Sequence, residues 1–338
     1  MTEALTDWRS LHGSAFDGTP VLITGGAGFI GSHLAAALVA LGANVTVLDD
    51  LSNSIADPIV TLAPAILVEG TILNQELLDH CVDGKRFVFH LAALGSVPRS
   101  VEHPRLYHKV NTTGTLNVLQ AARNFGVKRV MYAASSSAYG DSPTLPKTES
   151  MPPRPLSPYA ATKLAGEHYM AAFSACYGVE TACLRYFNIF GPRQSAASAY
   201  AAVIAAFATA LLAGKRPVIF GDGSQSRDFT YVDNAVHANL LTARAEKGTL
   251  HGQPINIATG RRMTVGELAT LMAEQLGKAD LKAEHQPPRT GDVLHSLADL
   301  SLAKALLGYR PIVALPEGMS ATLRWYSAAR PSLPAHPE

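Results

Sequence analysis

Tyr159 and Lys163 stand four residues apart in the run Tyr159-Ala160-Ala161-Thr162-Lys163, a spacing that puts both on one face of a helix. A phenol titrates near about pH 10 in water, too high for a general base at neutral pH. A neighbouring ammonium favours the phenolate, so the pair can take a proton from a substrate hydroxyl and give it back. Alone, the spacing is common, and a surface pair explains it better. What precedes it changes the balance. Val130-Met131-Tyr132 leads into Ser135-Ser136-Ser137, at a strand end where ligands of open α/β folds bind. A serine hydroxyl there can share the proton of a substrate oxygen. Any one of the three could equally be a strand-end cap, but all three beside a Tyr/Lys pair make a candidate site.

A second constellation lies near the start of the chain. Thr24-Gly25-Gly26-Ala27-Gly28-Phe29-Ile30-Gly31 follows the first β-branched run. Both Gly26/Gly28/Gly31 and Gly25/Gly28/Gly31 satisfy a spacing that lets backbone N–H groups and a helix N-terminus approach a pyrophosphate. Such a loop can also serve packing alone. Context favours the ligand: a second run ends at Leu48-Asp49-Asp50, about 20 residues further on, where a carboxylate can bind both ribose hydroxyls of NAD. Asp49 would repel a 2′-phosphate and no arginine follows to offset it, so NAD is expected over NADP. Its positive nicotinamide ring would add to Lys163 in favouring the Tyr159 phenolate.

The elements that must position these groups alternate. Val21 to Thr24, Val45 to Leu48, Ala65 to Val68, Phe87 to Phe89 and Val130 to Tyr132 are strand candidates, each followed by a stretch able to form a helix. That is the rhythm of a parallel sheet. Helices are expected over residues 111–125 and, opened by Ser157-Pro158 and closed by Gly178, over 159–177. Beyond Arg185 an Ala-rich helix (197–213), a late strand (254–258) and helices over 265–276 and 301–307 are expected. The fold class is α/β: a Rossmann-type doubly wound parallel sheet with a smaller, interleaved C-terminal α/β substrate lobe. The division expected is an extension over 1–18, a nucleotide-binding domain over 19–186 with strands returning near 228–260, and a substrate lobe over 187–227 and 261–330.

With 28 Lys+Arg against 27 Asp+Glu in 338 residues, no global field draws the chain to nucleic acid or to a membrane. Cys81, Cys176 and Cys183 lack metal-ligand spacing and fit a reducing compartment, the cytoplasm; no metal site is expected. The first 18 residues carry no basic run leading into an apolar one and read as a frayed extension.

From Val21 to about Arg310 the chain resembles the extended short-chain dehydrogenase/reductase superfamily, and within it the NAD-dependent UDP-hexose 4-epimerases, especially the UDP-N-acetylglucosamine 4-epimerase branch. His90 to Ser100 (HLAALGSVPRS) and Ala133 to Gly140 (AASSSAYG) look like signatures of that branch. Arg185-Tyr186-Phe187-Asn188 and Gly223 to Phe229 belong to the wider family. The resemblance implies a homodimer through the helices over 111–125 and 159–177, and a tightly bound NAD regenerated in each turnover. It implies NAD contacts from Gly25, Gly28, Phe29, Ile30 and Gly31, from Asp49, Asn53 and Ser54, and from Thr71 and Ile72. Leu91, Ala92, Ala93, Tyr159, Lys163 and Tyr186 would complete them. Thr71 replaces an aspartate that faces adenine in many relatives.

For the substrate it implies a UDP-sugar, with Asn188, Arg227 and Arg289 on the diphosphate and backbone near Val218 and Phe220 on uracil. Gly95, Ser96, Ser135, Ser136, Ser137, Tyr159, Asp292 and Ser296 would surround the sugar. In the family mechanism the tyrosine is the base at the C4 hydroxyl, hydride passes to NAD, and the 4-keto sugar turns over and receives hydride on its other face. Sugar dehydratases of the superfamily carry an acidic pair where Ser136 and Ser137 stand, so elimination lacks its acid and base. Ser296 occupies a gatekeeper position that is bulky in enzymes restricted to UDP-glucose and UDP-galactose, and Gly95 replaces a lysine of those enzymes. Both favour UDP-N-acetylglucosamine/UDP-N-acetylgalactosamine, with non-acetylated and uronic forms also admitted. The competing expectations are a nucleotide-sugar dehydratase, decarboxylase or reductase, and a silent NAD-sensing regulator.

Overall fold

The computed structural model describes residues 5–195, 203–287 and 294–328. Seven parallel strands form the central sheet: β1 Pro20–Thr24, β2 Asn44–Asp49, β3 Ile66–Glu69, β4 Phe87–His90, β5 Arg129–Ser135, β6 Glu180–Tyr186 and β11 His251–Ile257. Their order is β11-β6-β5-β4-β1-β2-β3. The chain moves to one side from β1 through β2 to β3, then returns to β4 on the other, and this reversal opens a crevice at the carboxyl ends of β1 and β4. Register aligns what stands there: Thr24 pairs His90, His90 pairs Tyr132, and Ser135 pairs Tyr186. The late strand expected over 254–258 is β11, beside β6.

Strand residues alternate between two helix-covered faces. Leu22, Leu48, Val88, Val130 and Tyr132 pack on the side of the helices Gln75–Val82, Gly114–Asn124 and Pro158–Tyr177. Val21, Ile23, Val47, Phe89 and Met131 pack on the side of Phe29–Ala40 and Val232–Arg244. Each of these chains, fully buried, contributes roughly 1.5–3 kcal/mol.

The helix expected over 159–177 spans Pro158–Tyr177, with the Ser157 hydroxyl accepting from Ala160 N at 3.1 Å and Gly178 closing it at φ 69°. That expected over 111–125 is helical from Pro104 and passes through a π turn, His108–Thr113, before Gly114–Asn124. Asn111 sits in the wide turn, its amide bonded both ways to the backbone of Leu94, at 2.8 and 3.1 Å. The Ala-rich helix spans Val203–Leu212, and its expected start lies outside the described residues. The helix Val232–Arg244 escaped the sequence pattern because Asp233, Asn234, His237, Asn239 and Thr242 are all buried, which hides any apolar stripe. The helix Leu315–Ala328 also escaped, its first turn holding Pro316 and Gly318.

Residues 5–18 are not frayed. A short helix, Trp8–His12, docks against the body: Thr6 donates to Asp233 at 2.6 Å, His12 and His237 share a hydrogen bond of 3.1 Å, and Phe16 is fully buried. Single anchors of this kind leave no periodic signal.

Beyond Tyr186 come six further short strands: β7 Ile189–Phe190, β8 Val218–Phe220, β9 Ser226–Arg227, β10 Thr230–Tyr231, β12 Met263–Thr264 and β13 Glu284–Gln286. They pair two by two around a cluster that includes Phe190, Phe207, Phe229, Met272, Met319 and Tyr326. Among the described residues no helix is long and apolar enough to cross a membrane.

Candidate active site

A cavity of about 260 Å³ opens where β1, β2, β4 and β5 end. Its glycines are required by contact. Gly25 has φ +72°, and a Cβ there would stand 2.5 Å from Ala92 N; at Gly31 it would stand 2.2 Å from Gly25 O. Gly28 begins the helix Phe29–Ala40 with no side-chain cap, leaving the first N–H groups free to meet an anion at the cavity wall. Asp49, at the end of β2, accepts from Ala27 N and Leu51 N, each at 2.9 Å. Burial pushes its carboxyl up, and these N–H bonds oppose the shift. A glycine cradle for pyrophosphate, an open helix terminus and a carboxylate at ribose distance from them in sequence fit a dinucleotide.

Gly25, Gly28, Phe29, Ile30, Gly31, Asp49, Asn53, Thr71, Ile72, Leu91, Ala92, Ala93, Tyr159, Lys163 and Tyr186 all line this cavity, and so does Gly95. Ser54 does not line it. Leu51 turns the chain at φ 57°, and Asp50 and Ser52 take the wall instead.

Tyr159 lines the cavity, and Ser135, at the end of β5, meets it by a hydrogen bond from outside that lining. The Ser135 hydroxyl accepts from Ser137 N at 3.2 Å and Ser137 Oγ at 2.8 Å, so it does cap the turn Ser136–Tyr139. Its own proton remains for Tyr159. Burial holds the Tyr159 phenol above the usual tyrosine range; the Ser135 hydrogen bond pulls it down, and Tyr107 pushes it further up. Lys163 is buried, donates to Ala133 O at 2.8 Å and lies 4.9 Å over the Tyr132 ring. Burial lowers it to about 8, against the opposing pull of Glu167. In this arrangement the ammonium faces the carbonyl of β5 and Tyr132, and the phenol rests protonated.

Several residues here were given no role of their own by the sequence. His90 is buried between Thr24 Oγ1 at 2.8 Å and Thr115 Oγ1 at 2.9 Å, which joins β1, β4 and a covering helix beneath the cavity floor. Asn111 ties the Leu94 backbone to Thr162, at 3.1 Å, one residue before Lys163. Glu167, bonded to Arg185, could have been sought from its four-residue distance to Lys163.

A second cavity, of about 290 Å³, lies in the C-terminal lobe, walled by Phe190, Phe207, Ile219 and Phe229 and lined by Asn188, Val218, Phe220, Gln225 and Arg227. Asn188 takes φ 39° and donates to Asp228 O at 3.3 Å. Arg227 donates to the carbonyls of Ser226 and Leu294, both at 3.1 Å. Its neighbour Asp228 is turned inward, accepting from Thr259 N and Oγ1, Gly260 N and Ala298 N. At the end of β6 Tyr186 lines the first cavity, and Asn188, two residues on, lines the second.

Other expected substrate residues, Ser135 among them, are not in the lining of either cavity. Ser96 caps the helix Val97–Glu102, accepting from Arg99 N at 3.3 Å. Ser136 and Ser137 form the turn after β5. Ser296 runs beside β9, its N–H bonded to Ser226 O at 3.0 Å. Arg289 and Asp292 lie outside the described residues. Among the described residues no group of His, Cys, Asp and Glu is placed to hold a metal ion.

Residues 21–258 match the model of the NAD dependent epimerase/dehydratase family. A UDP-glucose 4-epimerase from Mycolicibacterium smegmatis is 39% identical over 310 residues, covering 90% of this chain and 97% of its own. UDP-glucuronate 4-epimerase 4 from Arabidopsis thaliana is 34% identical over 338 residues, covering 93% of this chain and 76% of its own. Among solved structures, UDP-N-acetylglucosamine 4-epimerase from Methanobrevibacter ruminantium M1 in complex with UDP-N-acetylmuramic acid superimposes with a TM-score of 0.86 at 38% identity, covering 93% of this chain and 99% of its own.

Proposed function

The chain belongs to the NAD-dependent epimerase/dehydratase family, and we propose that it is an NAD-dependent UDP-sugar 4-epimerase interconverting UDP-N-acetylglucosamine and UDP-N-acetylgalactosamine. UDP-glucose/UDP-galactose and uronic forms are secondary substrates. The observation that carries this is the meeting of Ser135 and Tyr159 at the sheet's carboxyl end, beside a cavity lined by the glycine loop and Asp49, with serines and no carboxylate at 136 and 137.

The residues of the first cavity suit NAD: Gly25, Gly28, Gly31 and the open helix terminus would hold its pyrophosphate, Asp49 one ribose and Lys163 the other. When bound it supplies a hydride acceptor, and then a donor, at one carbon. Tyr159 takes the proton of the C4 hydroxyl and later returns it, while Ser135 holds the same oxygen. A phenol that starts protonated is suited to the return step, and positive charge arriving beside it brings the phenolate into range for removal. Net redox change is nil, so the cofactor stays in place.

The second cavity serves the other end of the substrate. Val218 and Phe220 hold uracil, and Asn188, Arg227 and Arg289 the diphosphate, leaving the sugar free to turn about its linkage. The lobe over 187–227 and 261–330 is thus the substrate half, and the sheet over 19–186 and 228–260 the cofactor half. Gly95 lines the first cavity, has no left-handed backbone, and a Cβ there would meet nothing within 4 Å. Neither backbone nor packing demands glycine at that point, which supports space for substrate as its role. Ser296 supports the same conclusion by its size. The reading also assigns a homodimer through the helices 111–125 and 159–177, and the cytoplasm, in keeping with three unpaired cysteines.

The test is to incubate purified protein with UDP-N-acetylglucosamine, adding no nicotinamide cofactor, and resolve the products. A C4 epimer approaching equilibrium is expected; no epimer, or a stoichiometric demand for NADH, would overturn the reading.

A further inference from the structure

Behind Lys163 lies a buried ion pair that the mechanism above does not use. Glu167 follows Lys163 by one helical turn, and its carboxylate receives two bonds from Arg185, Nε to Oε1 at 2.8 Å and Nη2 to Oε2 at 2.6 Å. The side chains are only 5% and 3% exposed. Arg185 arrives from β6, where it pairs Ala134 in register, and its guanidinium lies 4.6 Å over the Tyr139 ring, turned from the cavity. Glu167 thus stands on the same helix as Lys163, one turn on, with both carboxylate oxygens held by the one guanidinium.

A pair this dry is weak support for stability, since burying two ions costs about as much as their attraction returns. Its place one turn from a buried lysine offers a better reason for keeping it. We propose that Glu167 is a positioning residue for Lys163: from the next turn of the helix its carboxylate, itself fixed by Arg185, keeps the buried ammonium charged and aimed at the Ala133 carbonyl. This rests on the assignment of Tyr159 and Lys163 as the acid/base and cofactor-holding pair.

The groups around Lys163 show why a carboxylate is needed. Its own helix supplies Tyr159 and Glu167; β5 supplies the Tyr132 ring; β4 supplies His90, which burial and Lys163 itself keep neutral. From β6 come Cys183, whose thiol burial and Glu167 push up, together with Arg185 and Tyr186; Tyr107 faces Tyr159 from its own turn. Among these, Glu167 is the one anion, and it acts to raise Lys163 against the burial that lowers it. Once its carboxylate is removed, the ammonium loses its proton at a lower pH.

The experiment compares wild type, Glu167→Gln, and the double variant Glu167→Gln/Arg185→Met, which leaves no unpaired guanidinium if the single variant unfolds. The kcat for UDP-N-acetylglucosamine is followed against pH in the holoenzyme, and NAD retained after gel filtration is measured at each pH. In the folded variants the alkaline fall of kcat should begin about one pH unit lower, with cofactor retention failing at the same lower pH. Profiles parallel to wild type, whether unchanged or reduced equally at every pH, would overturn the proposal and leave the pair purely structural. Failure of the parent assignment reads differently: Tyr159→Phe would then retain kcat, whatever the Glu167 variants do to NAD retention.

Discussion

The two cavities solve unlike problems with unlike materials. The first is built from strand ends in one register, and burial shifts groups strongly at and beside it: Lys163, in its lining, is drawn to about 8, and His90, on β4, to about 3. The second is walled by aromatic and aliphatic chains, with Asn188, Gln225 and Arg227 as its polar members. In the first, burial changes what a side chain can do with a proton. In the second, it leaves an apolar-walled space with three polar side chains in its lining. On the proposed function, chemistry belongs to the sheet and recognition to the lobe pieced together from short strands, so damage to the two regions should read out differently.

The largest effect should come from the first cavity. Tyr159→Phe removes the proposed proton carrier and should cut kcat roughly 10²–10⁴-fold, with NAD still retained. Loss of the cofactor alongside the rate would show that the phenol holds NAD as well. Arg227→Met, in the second, should instead raise KM for the UDP-sugar by about 10–100-fold, the worth of a charge-assisted hydrogen bond, with a smaller change in kcat. An equal fall in kcat would mean that the lobe also takes part in the chemical step.

Ser296→Tyr sharpens the division of labour further. It should lower kcat/KM for UDP-N-acetylglucosamine relative to UDP-glucose by about tenfold or more, measured by competition, without loss of NAD. An unchanged ratio would place the acyl group elsewhere, with Gly95 the next position to fill.

The smallest effect is on stability. Burial holds His12, His33 and His237 near about 4, and His90 near about 3, all below the ordinary imidazole value. The unfolded chain then binds protons first as pH falls below about 6.5, so stability is unaffected above that value and declines from there to about pH 4. These histidines bind the N-terminal helix, the cofactor helix and the sheet, and none lines the second cavity. Hydrogen exchange followed by mass spectrometry at pH 5 should therefore show the first region opening before the lobe; simultaneous opening would contradict the contrast.

The same contrast decides what could be read from the sequence. Gly25 to Gly31, Asp49, Ser135, Tyr159 and Lys163 are legible because consecutive βαβ units carry them and each follows its strand at a set distance. Asn53 lines the wall as expected, but Ser54 does not, since the Leu51 turn redirects the loop. Asn111 and His90 act through hydrogen bonds to partners 17 and 66 residues away, which no local spacing announces. In the lobe, Asn188, Val218, Phe220 and Arg227 were found through resemblance to a family, because two-residue strands have no period to follow; on the sheet, the helix Val232–Arg244 hides its period in buried polar residues. The docking of residues 5–18 was missed for the same reason.

The account turns on one carbon losing and regaining a hydride without exchange. Its most direct measurement uses UDP-N-acetylglucosamine deuterated at C4, incubated with the holoenzyme in ordinary water and without added cofactor. The C4 epimer should carry the deuterium still at C4, undiluted by solvent. An epimer that has lost the label to water, or deuterium that appears only in a released nicotinamide, would contradict transient oxidation at C4 by a retained cofactor.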